Sequence, residues 1–159
     1  MKFAIRDALP SDAVAACQVM RRSIAELCIA DHQNDPAILS KWLGNKTPEI
    51  FMVWVTQPGH SVLVAAEDES IIAVGSITDA GNLTLNYVSP DARFRGISKA
   101  LLAALEERAA QRGCTFCTLN STETARRFCL ANGYLETGQP AGEFGTSSGY
   151  PMSKRLTAR

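Results

Sequence analysis

The spacing of apolar positions predicts a chain that alternates short strands with amphipathic helices. Residues 2–7 (KFAIRD) alternate and fit a strand. Pro10, Ser11 and Asp12 carry a helix-start signal. Val14, Cys17, Val19, Met20, Ile24, Leu27 and Cys28 then recur at helical spacing, predicting a helix from about 12 to 28. Asp31 to Asp35 is a polar connection. Pro36 suits the first position of a helix, and Ile38, Leu39, Trp42 and Leu43 give that helix an apolar face that Gly44 closes. The segment IFMVWVTQ after Thr47-Pro48-Glu49 is ambiguous. Its length and branched residues suit a strand; its capping signal and the short distance to the next strand favour a helix. Beyond Pro58-Gly59, the runs 61–67, 71–78 and 82–88 form an antiparallel meander.

Ser89-Pro90-Asp91 breaks this pattern, and a basic loop with one glycine follows at 93–98. Ile97, Leu101, Leu102, Leu105 and Ala109 continue as a long helix that Gly113 stops. Residues 114–119 form a buried strand. Ser121 or Thr122 caps a helix bearing Phe128, Cys129 and Leu130, which Asn132-Gly133 ends. Residues 134–137 and 150–156 are strand-like and flank a Gly-rich stretch, 138–149. Without a repeat or a linker, the pattern predicts one α/β (α+β) domain over 1–159.

Composition removes several classes of function. Lys plus Arg equals Asp plus Glu, 16 against 16, so the chain lacks the basic excess of an electrostatic nucleic-acid binder. No apolar run approaches the roughly 20 residues that span a bilayer. The start has no apolar core of a signal peptide, and the expectation is a cytoplasmic protein with no membrane or nucleic-acid partner. The five cysteines make an odd set that does not suggest a disulfide framework. Cys114 and Cys117 have CxxC spacing, but no second pair of soft ligands lies nearby and the pair sits in a strand-like run. They are expected to pack as small hydrophobes, and no metal site is expected.

The informative stretch is 83–98, LTLNYVSPDARFRGIS: a strand, Pro90, a basic loop and the start of a helix. The first amides of a helix have no intrahelical partner, and the helix dipole adds positive charge there. Together they make an anion site that a pyrophosphate fits. Gly96 removes a side chain where backbone must approach phosphate, Ser98 keeps the helix mouth small, and Arg93 and Arg95 supply charge at the rim. Neither the GxxxxGK[ST] loop nor GxGxxG is present.

Val88-x-Pro90-x-x-Arg93-x-x-Gly96-x-Ser98 resembles the acetyl-CoA-binding motif of the GCN5-related N-acetyltransferase (GNAT) superfamily, with Ser98 at the final small position. Ala125 to Tyr134 (ARRFCLANGY) resembles a second segment of that family. The resemblance implies a mixed, mostly antiparallel sheet splayed between strands 4 and 5 and flanked by helices. It implies acetyl-CoA as cosubstrate, with pantetheine in the gap against the backbone of Tyr87 and Val88. The Val88 amide would polarise the thioester carbonyl, the amides of Phe94, Arg95, Gly96, Ile97 and Ser98 would meet the pyrophosphate, and Asn120 and Phe128 would line the other wall. The implied reaction is direct transfer of acetyl to a primary amine, on a small molecule or a peptide, in a ternary complex. A coenzyme A-binding sensor or regulatory module of the same fold, without turnover, is the alternative. A homodimer is common among such folds, although no strip of apolar residues demands one.

The chain departs from the family pattern at two roles. Many members carry a Tyr as the acid for the leaving thiol where this chain has Cys129. Cys129 packing without a role, Cys129 donating, and substitution by Tyr134 or Tyr87 all stay open. The general base is also open. Asn86 can hold a water but cannot take a proton, while Glu26, and with it Asp31 and His32, lies near the expected acceptor wall. Trp42 and Trp54 suit core or pocket-wall packing. Arg126 and Arg127 could touch the ribose phosphate, and Glu143-Phe144-Gly145 could shape the acceptor entrance.

Overall fold

A computed structural model describes residues 3–142 and 149–157 of the chain. The first strand, β1 (Ala4–Asp7), ends in a single 3-10 turn (Pro10–Asp12). There the Asp12 carboxylate accepts from Leu9 N–H at 2.8 Å and from the Arg6 guanidinium at 2.8 and 3.0 Å. The Arg6 bond holds the Asp12 carboxyl below the usual range. Helix α1 (Ala13–Leu27) follows and buries Ala16, Cys17, Val19, Met20 and Ile24, the face that the periodicity predicts.

Three short helices come next. α2 (Ile29–His32) replaces part of the expected polar connection. α3 (Pro36–Leu43) has Pro36 at its first position and the Asp35 carboxylate accepting from Ala37 N–H at 2.9 Å. α4 (Pro48–Thr56) settles the ambiguous segment as a helix: Thr47 Oγ1 accepts from Ile50 N–H at 3.3 Å, and Phe51 is buried while Met52 and Val53 are exposed.

Strands β2 (His60–Glu67), β3 (Ser70–Thr78) and β4 (Leu83–Val88) complete an antiparallel sheet ordered β1-β2-β3-β4. Both of its faces are covered, so β2 and β3 read as continuous apolar runs. Val62, Val64, Val74 and Leu85 pack with α1 residues and Phe51. Leu63, Ala65, Ala73 and Ile77 pack with Leu101, Leu102 and Leu105 of α5 (Ile97–Gln111). The helix lies very close to β3 at Gly75, where a Cβ would come within 2.8 Å of Leu105 Cδ1 and 3.1 Å of Leu101 Cδ2.

The remaining strands form a second antiparallel sheet: β5 (Phe116–Thr122), β6 (Leu135–Glu136) and β7 (Gly149–Arg155), in the order β5-β7-β6. Helix α6 (Arg126–Ala131) lies between β5 and β6. It starts later than expected. β5 runs on through Ser121 and Thr122, and Thr122 Oγ1 accepts from Ala125 N–H at 3.1 Å. β4 meets β5 at a parallel bridge between Asn82 and Thr118, with Thr118 N–H donating to Gly81 O at 2.9 Å. Past that point the two strands part, as the predicted splay requires. Cys114 and Cys117 are free thiols, and burial pushes Cys117 up to about 11. No helix among the described residues is long and apolar enough to cross a membrane.

Candidate active site

Two cavities open where β4 and β5 separate. The larger, about 540 Å³, runs along β4 to the start of α5, with Leu119 to Thr122, Phe128 and Cys129 on its far wall. The smaller, about 400 Å³, is walled by Trp42, Lys46, Trp54 and His60. Thr84, Leu85, Tyr87, Asn120, Ser121 and Thr122 line both, so the two chambers share a junction.

The edge of β4 is fixed by its pairing with β3. Ser89 N–H donates to Ile72 O at 2.8 Å, and Val88 stands opposite Ala73. Backbone groups alternate along a strand, so Tyr87 turns its amide toward β3 while Val88 and Asn86 turn theirs toward the gap. This corrects the expectation that the Tyr87 backbone faces the gap; its side chain lines the junction instead. Asn86 Oδ1 is buried with no hydrogen-bond partner among the described residues. It is an acceptor on the cavity wall that an N–H of a ligand would satisfy.

At the end of β4 the backbone forms a cradle. A 3-10 turn (Pro90–Ala92) is capped by Ser89 Oγ, which accepts from Asp91 N–H at 3.2 Å. Phe94 (φ +62°) and Gly96 (φ +76°) both adopt the left-handed conformation. Such alternation turns successive amides toward one concavity, the geometry of an anion nest. The first bond of α5 runs from Ala100 N–H to Gly96 O at 3.1 Å. The amides of Ile97, Ser98 and Lys99 precede it and have no intrahelical acceptor. A Cβ at Gly96 would meet nothing within 4 Å, so the space before it is open. The Arg93 guanidinium lies 4.5 Å from the centre of the Phe94 ring, which is 92% exposed.

Several expectations drawn from the sequence meet a different geometry here. The Arg95 guanidinium pairs with Glu67 of β2 and does not line the cavity. Glu26 is exposed, accepts from Arg22 at 2.9 Å and lines neither cavity. The same Arg22 holds Asp91 at 2.8 Å, so the pair ties α1 to the turn before the cradle. His32 is fully buried: its Nε2 lies 2.8 Å from Ile24 O, and its Nδ1 accepts from Asn34 N–H at 3.0 Å. Asp31 is buried too, accepting from Glu123 N–H (2.6 Å), Thr124 N–H (3.2 Å) and Thr124 Oγ1 (2.5 Å). The geometry thus places Glu26, Asp31 and His32 in structural contacts rather than beside the chambers.

Cys129 does line the larger cavity, with burial raising its thiol pKa against a hydrogen bond to Ser121 that lowers it. Tyr134 is fully buried and donates to Glu106 Oε2 at 2.8 Å, away from both chambers. Tyr87 stands at the junction, where its hydroxyl accepts from Trp42 Nε1 at 3.1 Å. Asn120 lines both chambers beside Gly149, where a Cβ would come within 2.8 Å of Asn120 Nδ2. Arg126 pairs with Glu136 at 2.7 Å and lies over the Tyr150 ring at 4.2 Å. Glu143-Phe144-Gly145 lies outside the described residues.

Sequence reasoning missed His60, Thr84 and Lys46. His60 opens β2 opposite Thr78, and its Nε2 lies 3.3 Å from Thr84 Oγ1. Lys46 is buried beside Trp42, with Nζ donating to Trp42 O at 3.3 Å and Asn45 Oδ1 at 2.6 Å. Extending the meander's turns into a strand register would have brought 60 and 84 together; no local signal marks Lys46.

A splayed pair of sheets with a nest at the end of one edge defines a class of fold, and comparison with known proteins gives the class its family. An acetyltransferase (GNAT) domain model matches residues 29–156. The chain belongs to the GNAT acetyltransferase family. Searched by sequence, the curated proteins give no significant match. Among solved structures it is similar to a GCN5-related N-acetyltransferase from Rhodopseudomonas palustris, at 23% identity and TM-score 0.87, covering 98% of this chain and 97% of that one. PaiA N-acetyltransferase from Thermoplasma acidophilum, solved with coenzyme A, is 18% identical with TM-score 0.84 over 98% and 100% of the two chains. YncA, a putative acetyltransferase from Salmonella typhimurium solved with acetyl-CoA, is 20% identical with TM-score 0.68 over 100% and 96%.

Proposed function

We propose that the chain transfers an acetyl group from acetyl-CoA directly to a primary amine, both substrates being bound at once. The observation that carries this reading is the unpaired edge of β4, which leads from a nest of free amides to a junction with a second chamber. The diphosphate sits on the amides around Gly96, Ile97 and Ser98, with Arg93 at the rim. Pantetheine follows β4 back from the cradle, pairing with the Val88 backbone and satisfying Asn86 Oδ1. Phe128 and Asn120 cover it from the far wall. The amine enters through the chamber of Trp42 and Trp54.

The residues shared by both chambers support a reacting carbon at the junction. Of the two amides facing the gap, that of Asn86 lies between Leu85 and Tyr87 at the junction, while that of Val88 is nearer the cradle. The oxyanion role therefore moves from Val88 to the Asn86 N–H. A preorganised donor there is worth about 2.7–4 kcal/mol in the transition state.

Attack by the amine lone pair expels the coenzyme A thiolate. Cys129 is a poor acid for this step. Burial raises its pKa, and an ordinary thiol ionises near 8.5, so the transfer of its proton to the thiolate runs uphill. Cys129→Ala should lower kcat by less than about threefold in a thiol-release assay, well short of the 100-fold or greater effect of losing a general acid.

Calorimetry with acetyl-CoA, followed by thiol release and mass spectrometry of product over a panel of primary amines, tests the proposal. Binding with acetylation of at least one amine is expected. Binding with no thiol release across the panel would favour the sensor reading, which Cys129 in place of the usual tyrosine supports. Absence of binding would overturn both.

A further inference from the structure

The ammonium of an alkyl amine must lose a proton before it can attack, because only the free base has a lone pair. Among the described residues lining the smaller chamber there is no carboxylate; the titratable side chains are Lys46, His60 and Tyr87. We infer that His60, acting through the Thr84 hydroxyl, receives the proton of the acceptor ammonium. This rests on the acetyl-transfer reading above and names a group within it.

The geometry has a direction. Ser76 Oγ is hydrogen-bonded to Thr84 Oγ1, which lies 3.3 Å from His60 Nε2. With Ser76 donating to Thr84 and Thr84 donating to Nε2, one lone pair of the threonine oxygen remains to accept from an ammonium at the junction. His60 Nδ1 is buried with no hydrogen-bond partner of good geometry among the described residues. The Trp54 backbone nevertheless acts on the ring in the sense that favours a bound proton. A proton held at Nδ1 leaves Nε2 as the basic nitrogen, aimed at Thr84.

Burial lowers the imidazole pKa, countered in part by the Trp54 backbone, so the ring is neutral and able to accept at neutral pH. The charged groups around it are Lys46 on the same chamber wall and, beside Gly59, Asp79, which Arg112 holds at 3.3 Å. The elements packed on its strand contribute the neutral Trp54, Gln57, Thr78 and Thr84. Burial, rather than either charge, is the leading cause of the shift.

The step balances. Thr84 passes its hydroxyl proton to Nε2 and takes one from the ammonium. The freed amine forms the C–N bond as the C–S bond breaks. The thiolate takes the second nitrogen proton, and His60 returns its own to solvent.

A matched pair of acceptors tests this: benzylamine, an ammonium at neutral pH, and O-benzylhydroxylamine, a free base at neutral pH. His60→Gln should lower kcat/KM for benzylamine by about 100-fold or more and for O-benzylhydroxylamine by only about threefold, the cost of lost positioning alone. In the same variant the limb of the benzylamine pH profile set by His60 should be lost, leaving a rise that follows ionisation of the amine itself. Thr84→Val, which keeps the branched shape that strands favour, should show the same selectivity for the ammonium substrate. Acetyl-CoA binding measured by calorimetry should stay unchanged in His60→Gln, since His60 lines only the smaller chamber. Equal losses with both acceptors, or an unchanged pH profile, would overturn the role of His60 while leaving acetyl transfer intact. Wild-type protein that binds acetyl-CoA but releases thiol with neither amine would overturn the transfer reading and this one with it.

Discussion

Gly96→Val is expected to lower the affinity for coenzyme A by about 100-fold or more, the equivalent of about 2.8 kcal/mol. Two effects act together. The position has φ +76°, a conformation that costs an L-residue about 1–2 kcal/mol and a branched one more. The added side chain also projects into the open space before the helix start, where nothing lies within 4 Å. No atom of the described residues lies within that distance, so in the proposed binding mode the steric part of the effect would fall on the diphosphate. Thermal unfolding should therefore shift by only about 2–8 °C, the response to 1–2 kcal/mol in a chain of this size, while calorimetry with coenzyme A shows the much larger loss. Affinity within about threefold of wild type, less than 1 kcal/mol, would remove the cradle from the proposed binding mode.

Asp31→Ala should produce the largest loss of stability among the polar sites. Its carboxylate joins α2 to the turn before α6, 92 residues away in sequence, and takes two backbone amides and a hydroxyl. Hydrogen bonds to a charged group contribute about 1.5–3 kcal/mol each, and the amides left behind lose their acceptor. Allowing for water that reaches the vacated site, a destabilisation of about 2–4 kcal/mol follows, or a fall of roughly 4–16 °C in Tm. The coenzyme should also bind more weakly, since Thr124 and Ala125 lie on the wall of the larger chamber. Asp31→Asn, which keeps one acceptor oxygen, should fall between. A Tm for Asp31→Ala within about 1 °C of wild type, a few tenths of a kcal/mol, would show that the two halves are held together elsewhere.

Most of the architecture was legible in the sequence because it is written in local patterns. The helical spacing from Val14 to Leu27, the helix starts marked by Pro36 and by Thr47-Pro48, and the apolar runs of β2 and β3 each specify an element within a few residues. The cradle was legible for the same reason: Pro90, Gly96 and the helix that follows are contiguous. What escaped depends on partners far along the chain. Asp31 and His32 look like a solvated connection, and only the remote amides of Glu123 and Thr124 and the carbonyl of Ile24 explain their burial. Arg95 suits a phosphate rim until Glu67, 28 residues earlier, claims its guanidinium. Tyr134 suits an acid until Glu106 is found at its hydroxyl. The pairing of His60 with Thr84 needs the register of three strands.

The bridge between Asn82 and Thr118 has a consequence for the protein without its cosubstrate. It works as the last tooth of a zipper: beyond it, β4 presents unmatched donors and acceptors of the kind that recruit a strand from another molecule. In the proposed binding mode a bound pantetheine would fill that vacancy as a surrogate rung, coupling ligand supply to the integrity of the sheet. Acetyl-CoA at 100 times its Kd should add about 2.7 kcal/mol to the unfolding free energy, and self-association through this seam should be most pronounced when the cosubstrate is scarce.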